Sequence, residues 1–223
     1  MNQDDVFLGG EGDAWFHRNA EALSKPQRPD WILGLLSMLD ARSEISSVCE
    51  VGCADGWRLA RLAESLPNVT LNAGFDASAA AIADGKRRHP QLDLRVGPVT
   101  WPPFEQRFDL VIVSFVLHWI DRAELVRAIA AVDQLVAPGG WLAIADFLPD
   151  RPCKRRYHHR DDVVLYTFKQ DYASAFTGLG LYEEVARVAF PHSQAGGVIG
   201  HVAGGERAGC ALLKKPLDNY PDS

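Results

Sequence analysis

Glu50 closes a short apolar run, Val48-Cys49, and a turn of small residues follows it through Gly52, Cys53, Ala54 and Gly56. A second apolar run ends in Gly74-Phe75-Asp76. In an α/β protein two such strand ends lie side by side. A turn with little side-chain bulk lets a ligand approach the main chain. A carboxylate at the neighbouring strand end accepts hydrogen bonds from ribose hydroxyls. Together they point to a nucleoside-containing cofactor. The spacing Gly52-x-Ala54-x-Gly56 is not the G-x-G-x-x-G that seats a pyrophosphate on a helix N-terminus, which disfavours a nicotinamide dehydrogenase.

Histidines and cations supply the other candidate chemistry. His118 lies just after the apolar run FDLVIVS, and His158 and His159 sit in RRYHHRDD. Histidine titrates near neutral pH and suits general-base work. Each has a plainer role open to it: His118 as a loop residue packed on Trp119, and the pair as a solvated turn. Arg151, Lys154, Arg155, Arg156 and Arg160 surround Tyr157. Such a run can recognise an anionic acceptor or can simply be a solvated charge run. Tyr166, Phe168, Tyr172 and Phe176 recur near helical spacing, as core or as an aromatic pocket wall. Adjacent histidines diverge and no CxxC pair exists, so no metal site is expected.

The elements that must position these groups alternate. Strands are expected at 45–51, 69–75, 92–96, 108–114 and 141–147. Helices are expected at 57–65, from Ser78 to His89, and from the capping-box variant Asp121-Arg122-Ala123-Glu124 to about Val136. Pro138-Gly139-Gly140 marks a stop. The run FDLVIVS lacks polar alternation, which implies a parallel sheet covered on both faces. Strand–helix alternation of this kind predicts a doubly wound α/β sandwich. Ahead of it, 13–24 and 30–40 read as helices, with Asp13 and Asp30 near their positive ends. Pro26 and Pro29 break the chain between them. Residues 1–12 read as a mobile segment and 149–162 as irregular, with a helix at 163–176. Runs at 181–190 and 208–214, separated by a glycine-rich loop, read as an antiparallel hairpin on the sheet edge.

The chain has 223 residues, 47% of them hydrophobic and 23% charged, enough for one core. A single domain is expected: 1–40 as N-terminal lid helices, 41–147 as cofactor-binding core, 148–223 as acceptor-side segment and hairpin. No apolar run is long enough to span a bilayer, and MNQDDVFLGG lacks the features of a secretory signal, so a cytoplasmic location is expected. A net charge of −6 argues against general nucleic-acid or anionic-membrane binding. Cys49, Cys53, Cys153 and Cys210 read as reduced thiols.

In this order the motifs resemble the class I S-adenosylmethionine-dependent methyltransferases, by motif over about residues 45–147. The matching pieces are Glu50-Val51-Gly52-Cys53-Ala54-Asp55-Gly56, Asp76, Ser114-Phe115-Val116-Leu117-His118-Trp119 and Leu135-Val136-Ala137-Pro138-Gly139-Gly140. The resemblance implies a three-layer Rossmann-like sandwich, a seven-stranded and mostly parallel sheet with an antiparallel strand near one edge. It implies S-adenosylmethionine as cofactor. The Glu50–Gly56 turn would take its methionyl part, Asp76 and Ala77 the ribose, and Ser114 and Phe115 the methyl end. Where the family often carries Gly-Asp, this chain has Gly97-Pro98-Val99-Thr100, which leaves adenine to Val99, Thr100 or the backbone. Trp15-Phe16-His17-Arg18-Asn19 resembles a lid helix whose Arg18 could meet the cofactor carboxylate. His118, His158 and His159 are the candidate bases. Trp119, Arg156, Tyr157 and Tyr172 are candidate acceptor contacts. The implied activity is methyl transfer to a small molecule, foremost to a hydroxyl of a sugar, natural product or carboxylated metabolite, by a monomer or homodimer. An RNA or protein methyltransferase and a non-catalytic cofactor-binding partner are the alternatives.

Overall fold

The computed structural model describes residues 2–23, 30–66, 68–160, 162–192 and 202–218. The break at Pro26 and Pro29 and most of the glycine-rich loop lie outside them. The chain opens with α1 (Gln3–Val6), a wide π-helical turn (Phe7–Glu11), α2 (Gly12–Leu23) and α3 (Trp31–Ser37). It then alternates: β1 (Ser47–Val51), α4 (Trp57–Ser65), β2 (Leu71–Asp76), α5 (Ala79–Arg88), β3 (Asp93–Val96), β4 (Phe108–Ser114), α6 (Leu125–Leu135) and β5 (Val136–Phe147). The last third is β6 (Cys153–Arg156), β7 (Tyr166–Lys169), α7 (Ala173–Gly178), β8 (Glu183–Pro191) and β9 (Arg207–Lys214).

The main sheet has seven strands in the order β3-β2-β1-β4-β5-β9-β8. The first five are mutually parallel, and β9 runs antiparallel to both β5 and β8. Alternate residues of β4 face opposite layers. Val111 and Val113 pack with Ala128, Ile129 and Val132 of α6, and Leu110 and Ile112 with Ile32, Leu36, Leu59 and Leu62 of α3 and α4. Both faces are apolar because both are covered. Strand order reverses between β1 and β4, and ligands bind in the crevice beyond such a switch point.

Several local expectations give way to tertiary contacts. Residues 3–11 are helical and anchored, with Gln3, Val6 and Glu11 buried. The 149–162 segment contributes β6, paired with β7 in a second, two-stranded sheet, and the helix expected at 163–176 shrinks to α7. Aromatic spacing at Tyr166 and Phe168 is strand alternation there. Asp13 caps α5 rather than its own helix, accepting from Ser78 Oγ at 2.6 Å and Ala80 N–H at 2.9 Å. The helix expected from Asp121 begins at Leu125, because Asp121 instead accepts from the Gln3 N–H at 2.7 Å. The Pro138-Gly139-Gly140 turn is absorbed into β5 as an irregularity, with Gly139 at φ 71°.

Candidate active site

A cavity of about 610 Å³ opens beyond the C-terminal ends of β1, β2 and β4. Its cofactor side is set by backbone. The N–H groups of Gly52 and Cys53 both donate to the Phe75 carbonyl, at 2.8 and 3.1 Å, which ties the turn to β2. Asp76 completes the tie, accepting from Ala54 N–H at 2.9 Å and Ser78 N–H at 2.8 Å. Burial pushes its carboxyl above the ordinary aspartate value, and these N–H donors pull the other way. Each oxygen retains a lone pair for a further donor. Gly52 has φ 69°, and a Cβ there would stand 2.2 Å from Val116 Cγ2. Ala54 at φ 50° and Phe115 at φ 54° are the non-glycine residues in the left-handed region among the described residues. Both line the cavity. Each such residue costs about 1–3 kcal/mol, and such strain concentrates at functional sites.

Beside the turn lies a buried charge cluster. Arg58 Nη1 donates to Glu50 Oε1, its Nε to Asp30 Oδ2 at 2.8 Å, and its Nη2 to Ser114 Oγ at 3.1 Å. Glu50 is 1% exposed, and its Oε2 has no partner among the described residues. Burial pushes the Glu50 carboxyl up to about 7, and Arg58 is the main influence holding it down. An orphaned buried carboxylate oxygen on a cavity wall suits an ammonium group, and Arg58 beside it suits a carboxylate. The methionyl end of S-adenosylmethionine carries both. With Asp76 for a ribose diol and the apolar Val99 in the wall, the residues fit that cofactor.

The opposite side of the cavity is built from side chains. His118, in the turn Leu117–Trp119 after β4, places Nδ1 2.9 Å from Asp146 Oδ1. Its backbone N–H donates to Asp146 Oδ2 at 3.3 Å, and Phe147 N–H donates to Oδ1 at 2.7 Å. Both partners are about 4% exposed. A carboxylate partner assigns the proton to Nδ1 and leaves Nε2 as the basic nitrogen. Phe147 and Trp119 flank the imidazole at 4.9 and 4.8 Å between centroids.

The N-terminal segment and the β6–β7 hairpin form the outer wall. The Gln3 side chain donates to Trp119 O at 2.5 Å and Tyr166 O at 3.0 Å, and accepts from Tyr166 N–H at 2.7 Å. Phe7 packs on Trp119 at 5.0 Å. Glu11 is fully buried and accepts from Arg18 at 2.5 Å and from Tyr157 Oη at 2.8 Å. Burial and the Glu11 charge push the Tyr157 phenol up, so it stays protonated as donor.

Of the residues singled out on the sequence, the cavity brings together Glu50, Gly52, Cys53, Ala54, Asp76, Ala77, Val99, Ser114, Phe115, His118, Trp119, Arg156, Tyr157 and His158. Five lie off its wall. Gly56, at φ 76°, caps α4, and a Cβ there would press on Leu92 and Leu94 at 3.0 and 3.2 Å. The buried Thr100 donates to Asp4 Oδ2 at 2.6 Å. Arg18 is held by Glu11 and Tyr157 while Trp15 and Asn19 of the same helix face the cavity. Tyr172 is core, donating to Phe168 O at 2.5 Å. His159 lies against His158, the rings tilted with centroids 4.0 Å apart, and burial followed by His158 lowers its pKa.

Arg58 and Asp146 were missed, and each had a signal. Arg58 is a cation in the first turn of a helix, against the macrodipole, which asks for a specific anion. Asp146 interrupts the apolar run WLAIADF, and an acid in a buried strand needs a partner.

The chain has a Rossmann-like methyltransferase fold, and the cavity lining suits S-adenosylmethionine. Residues 49–142 match the family model described as a methyltransferase domain. Among curated proteins the chain is 25% identical over 118 residues to a malonyl-[acyl-carrier protein] O-methyltransferase of Halalkalibacterium halodurans, covering 50% of this chain and 42% of that protein. It is 29% identical over 130 residues to a trans-aconitate 2-methyltransferase of Deinococcus radiodurans, covering 58% and 46%. The matches thus span about half the length of these relatives. A solved 1,6-didemethyltoxoflavin-N1-methyltransferase from Burkholderia thailandensis, with S-adenosylhomocysteine bound, shares the fold. Its TM-score is 0.68 at 17% identity, over 95% of this chain and 88% of that one.

Proposed function

We propose that this chain transfers the methyl group of S-adenosylmethionine to a hydroxyl of a small molecule, with His118 as general base. The buried His118–Asp146 pair at the end of β4 carries this reading. When bound, the cofactor supplies a methyl on a sulfonium, an electrophile that already has a good leaving group. The protein must then hold the acceptor oxygen in line, exclude water and take one proton. His118 Nε2 receives the hydroxyl proton as the oxygen–methyl bond forms and the sulfur–methyl bond breaks. Asp146 fixes the ring and stabilises the imidazolium. His158 and His159 compete poorly for this task, since no carboxylate among the described residues hydrogen-bonds either ring. The aromatic wall and the N-terminal segment supply a shielded space for a small acceptor.

The test follows S-adenosylhomocysteine release over a panel of small hydroxyl, amine and thiol compounds. Hydroxyl acceptors should turn over, and H118A should lower turnover by about 10²–10⁴-fold while S-adenosylhomocysteine affinity is kept. The H158A/H159A double variant should retain turnover. Turnover confined to amines, or undiminished in H118A, contradicts the reading.

A further inference from the structure

In the β6–β7 hairpin Cys153 pairs with Lys169 and Arg155 with Thr167. With a period of two, these four residues share one face. Arg155, Thr167 and Lys169 all line the cavity. Tyr157 follows on the same face, its N–H on Leu165 O, and seats it against the N-terminal segment. Lys154 lies on the opposite face over the Tyr166 ring, at 4.4 Å.

The cations of the inward face differ from their neighbours in pairing. Arg18 and Arg160 meet Glu11, Arg187 meets Glu184 and Asp171, and Arg207 meets Asp150. Among the described residues no carboxylate lies within ion-pair distance of Arg155 or Lys169. Burial and then the like charge of Arg155 lower the Lys169 pKa. Glu206 and Asp146 attract Lys169 only from beyond ion-pair distance. Two cations beside one cavity without a contacting carboxylate repel each other, and an anion between them offsets that cost. Lys169 Nζ stands 3.6 Å from the centroid of Phe147, whose ring packs on His118. The cation therefore sits one ring away from the base. Thr167 Oγ1 makes only a long bond of 3.4 Å to Arg155 O, which leaves a hydroxyl for exchange.

We propose that Arg155, Thr167 and Lys169 form an oxyanion subsite, which holds a carboxylate or phosphate of the acceptor while the acceptor hydroxyl lies at His118. The proposal rests on the hydroxyl-acceptor reading above and narrows it to anionic acceptors. A guanidinium fork, an ammonium and a hydroxyl suit a flat or tetrahedral oxyanion equally. The same charges repel an ammonium, so an amine acceptor is disfavoured at this mouth.

Calorimetry on the protein saturated with S-adenosylhomocysteine tests the subsite, with three probes that share a phenol: 3-hydroxybenzoate, 3-hydroxyphenyl phosphate and 3-hydroxybenzamide. At least one anion should bind tenfold or more tightly than the amide, and whichever binds tighter identifies the source of the oxyanion. K169M and R155Q should each reduce the preference at least threefold, and the double variant should abolish it, with S-adenosylhomocysteine affinity within twofold as the folding control. R155Q, at an exposed position, keeps the test open if K169M fails to fold. H118A should keep the anion preference. Absence of any anion preference, whether from equal binding or from no binding, overturns the subsite, as does a preference that survives the double variant. Turnover undiminished in H118A, with the anion preference intact, would instead count against the base and leave the subsite standing.

Discussion

The two sides of the cavity are made of different material. The cofactor side is main chain: two strand ends, a turn whose N–H groups land on the Phe75 carbonyl, and a carboxylate tied to Ala54 and Ser78. The proposed acceptor side is side chain: an imidazole on a carboxylate, edge-on and tilted rings, and long cations on a hairpin. A backbone cradle accepts few residue types, because bulk or the wrong φ destroys it. A side-chain wall can be rewritten one residue at a time. The matched segment, 49–142, includes the cofactor turn and His118 but ends before Asp146 and the hairpin. The likeness to known methyltransferase domains therefore falls mainly on the first material, and the proposed acceptor wall lies largely outside it.

Substitutions on each side should fail in different ways. H118A should cost the most, removing about 10²–10⁴-fold in turnover, read as methyl transfer under saturating cofactor, with little change in melting temperature. If cofactor affinity collapsed too, the two sides would be one unit. R58M should do the reverse. It leaves Glu50 and Asp30 buried without their cation, for a loss of about 3–5 kcal/mol in chemical denaturation. The E50Q/R58M pair should recover part of that loss.

The cofactor side should also respond to pH. Glu50 is charged above about 7 and takes up a proton below it. An ammonium partner needs the charged form, so S-adenosylmethionine affinity should fall as pH drops through about 7. E50Q should flatten that profile. For folding the sign is opposite. A raised carboxyl pKa means that the native chain holds this proton more firmly than the unfolded one. The group's contribution to stability is therefore present at low pH and is lost as pH rises from the ordinary glutamate value through about 7. The smallest effect should come from A54G. Relief of a left-handed alanine, about 1–2 kcal/mol, is offset by roughly 0.5–1 kcal/mol of added chain freedom. Stability should stay within about 1 kcal/mol, measured by urea titration.

The same division decides what could be read from the sequence. The parallel strands, the Glu50–Gly56 turn and Asp76 were legible because local composition enforces them. An apolar run without alternation must be covered on both sides, and a turn of small residues must admit something close. The Gln3 anchor was not legible, since its partners Asp121 and Tyr166 lie more than a hundred residues away. Tyr166 and Phe168 show helical spacing to Tyr172 and Phe176, yet long-range pairing with β6 places the first two in a strand. Arg18 reads as a cofactor contact until Glu11, from the preceding turn, claims it. Ala54 reads as a mild departure from glycine. Its φ of 50° shows that the left-handed conformation is kept and the missing glycine replaced at a cost in strain.

The most direct test is a crystal structure of this protein with S-adenosylhomocysteine. The two ribose hydroxyls should lie within hydrogen-bond reach of Asp76, the amino group on Glu50 Oε2, and the sulfur should point past Phe115 toward His118. A ligand seated elsewhere, or one whose sulfur faces away from His118, would contradict a cavity divided between a main-chain cradle and a side-chain wall.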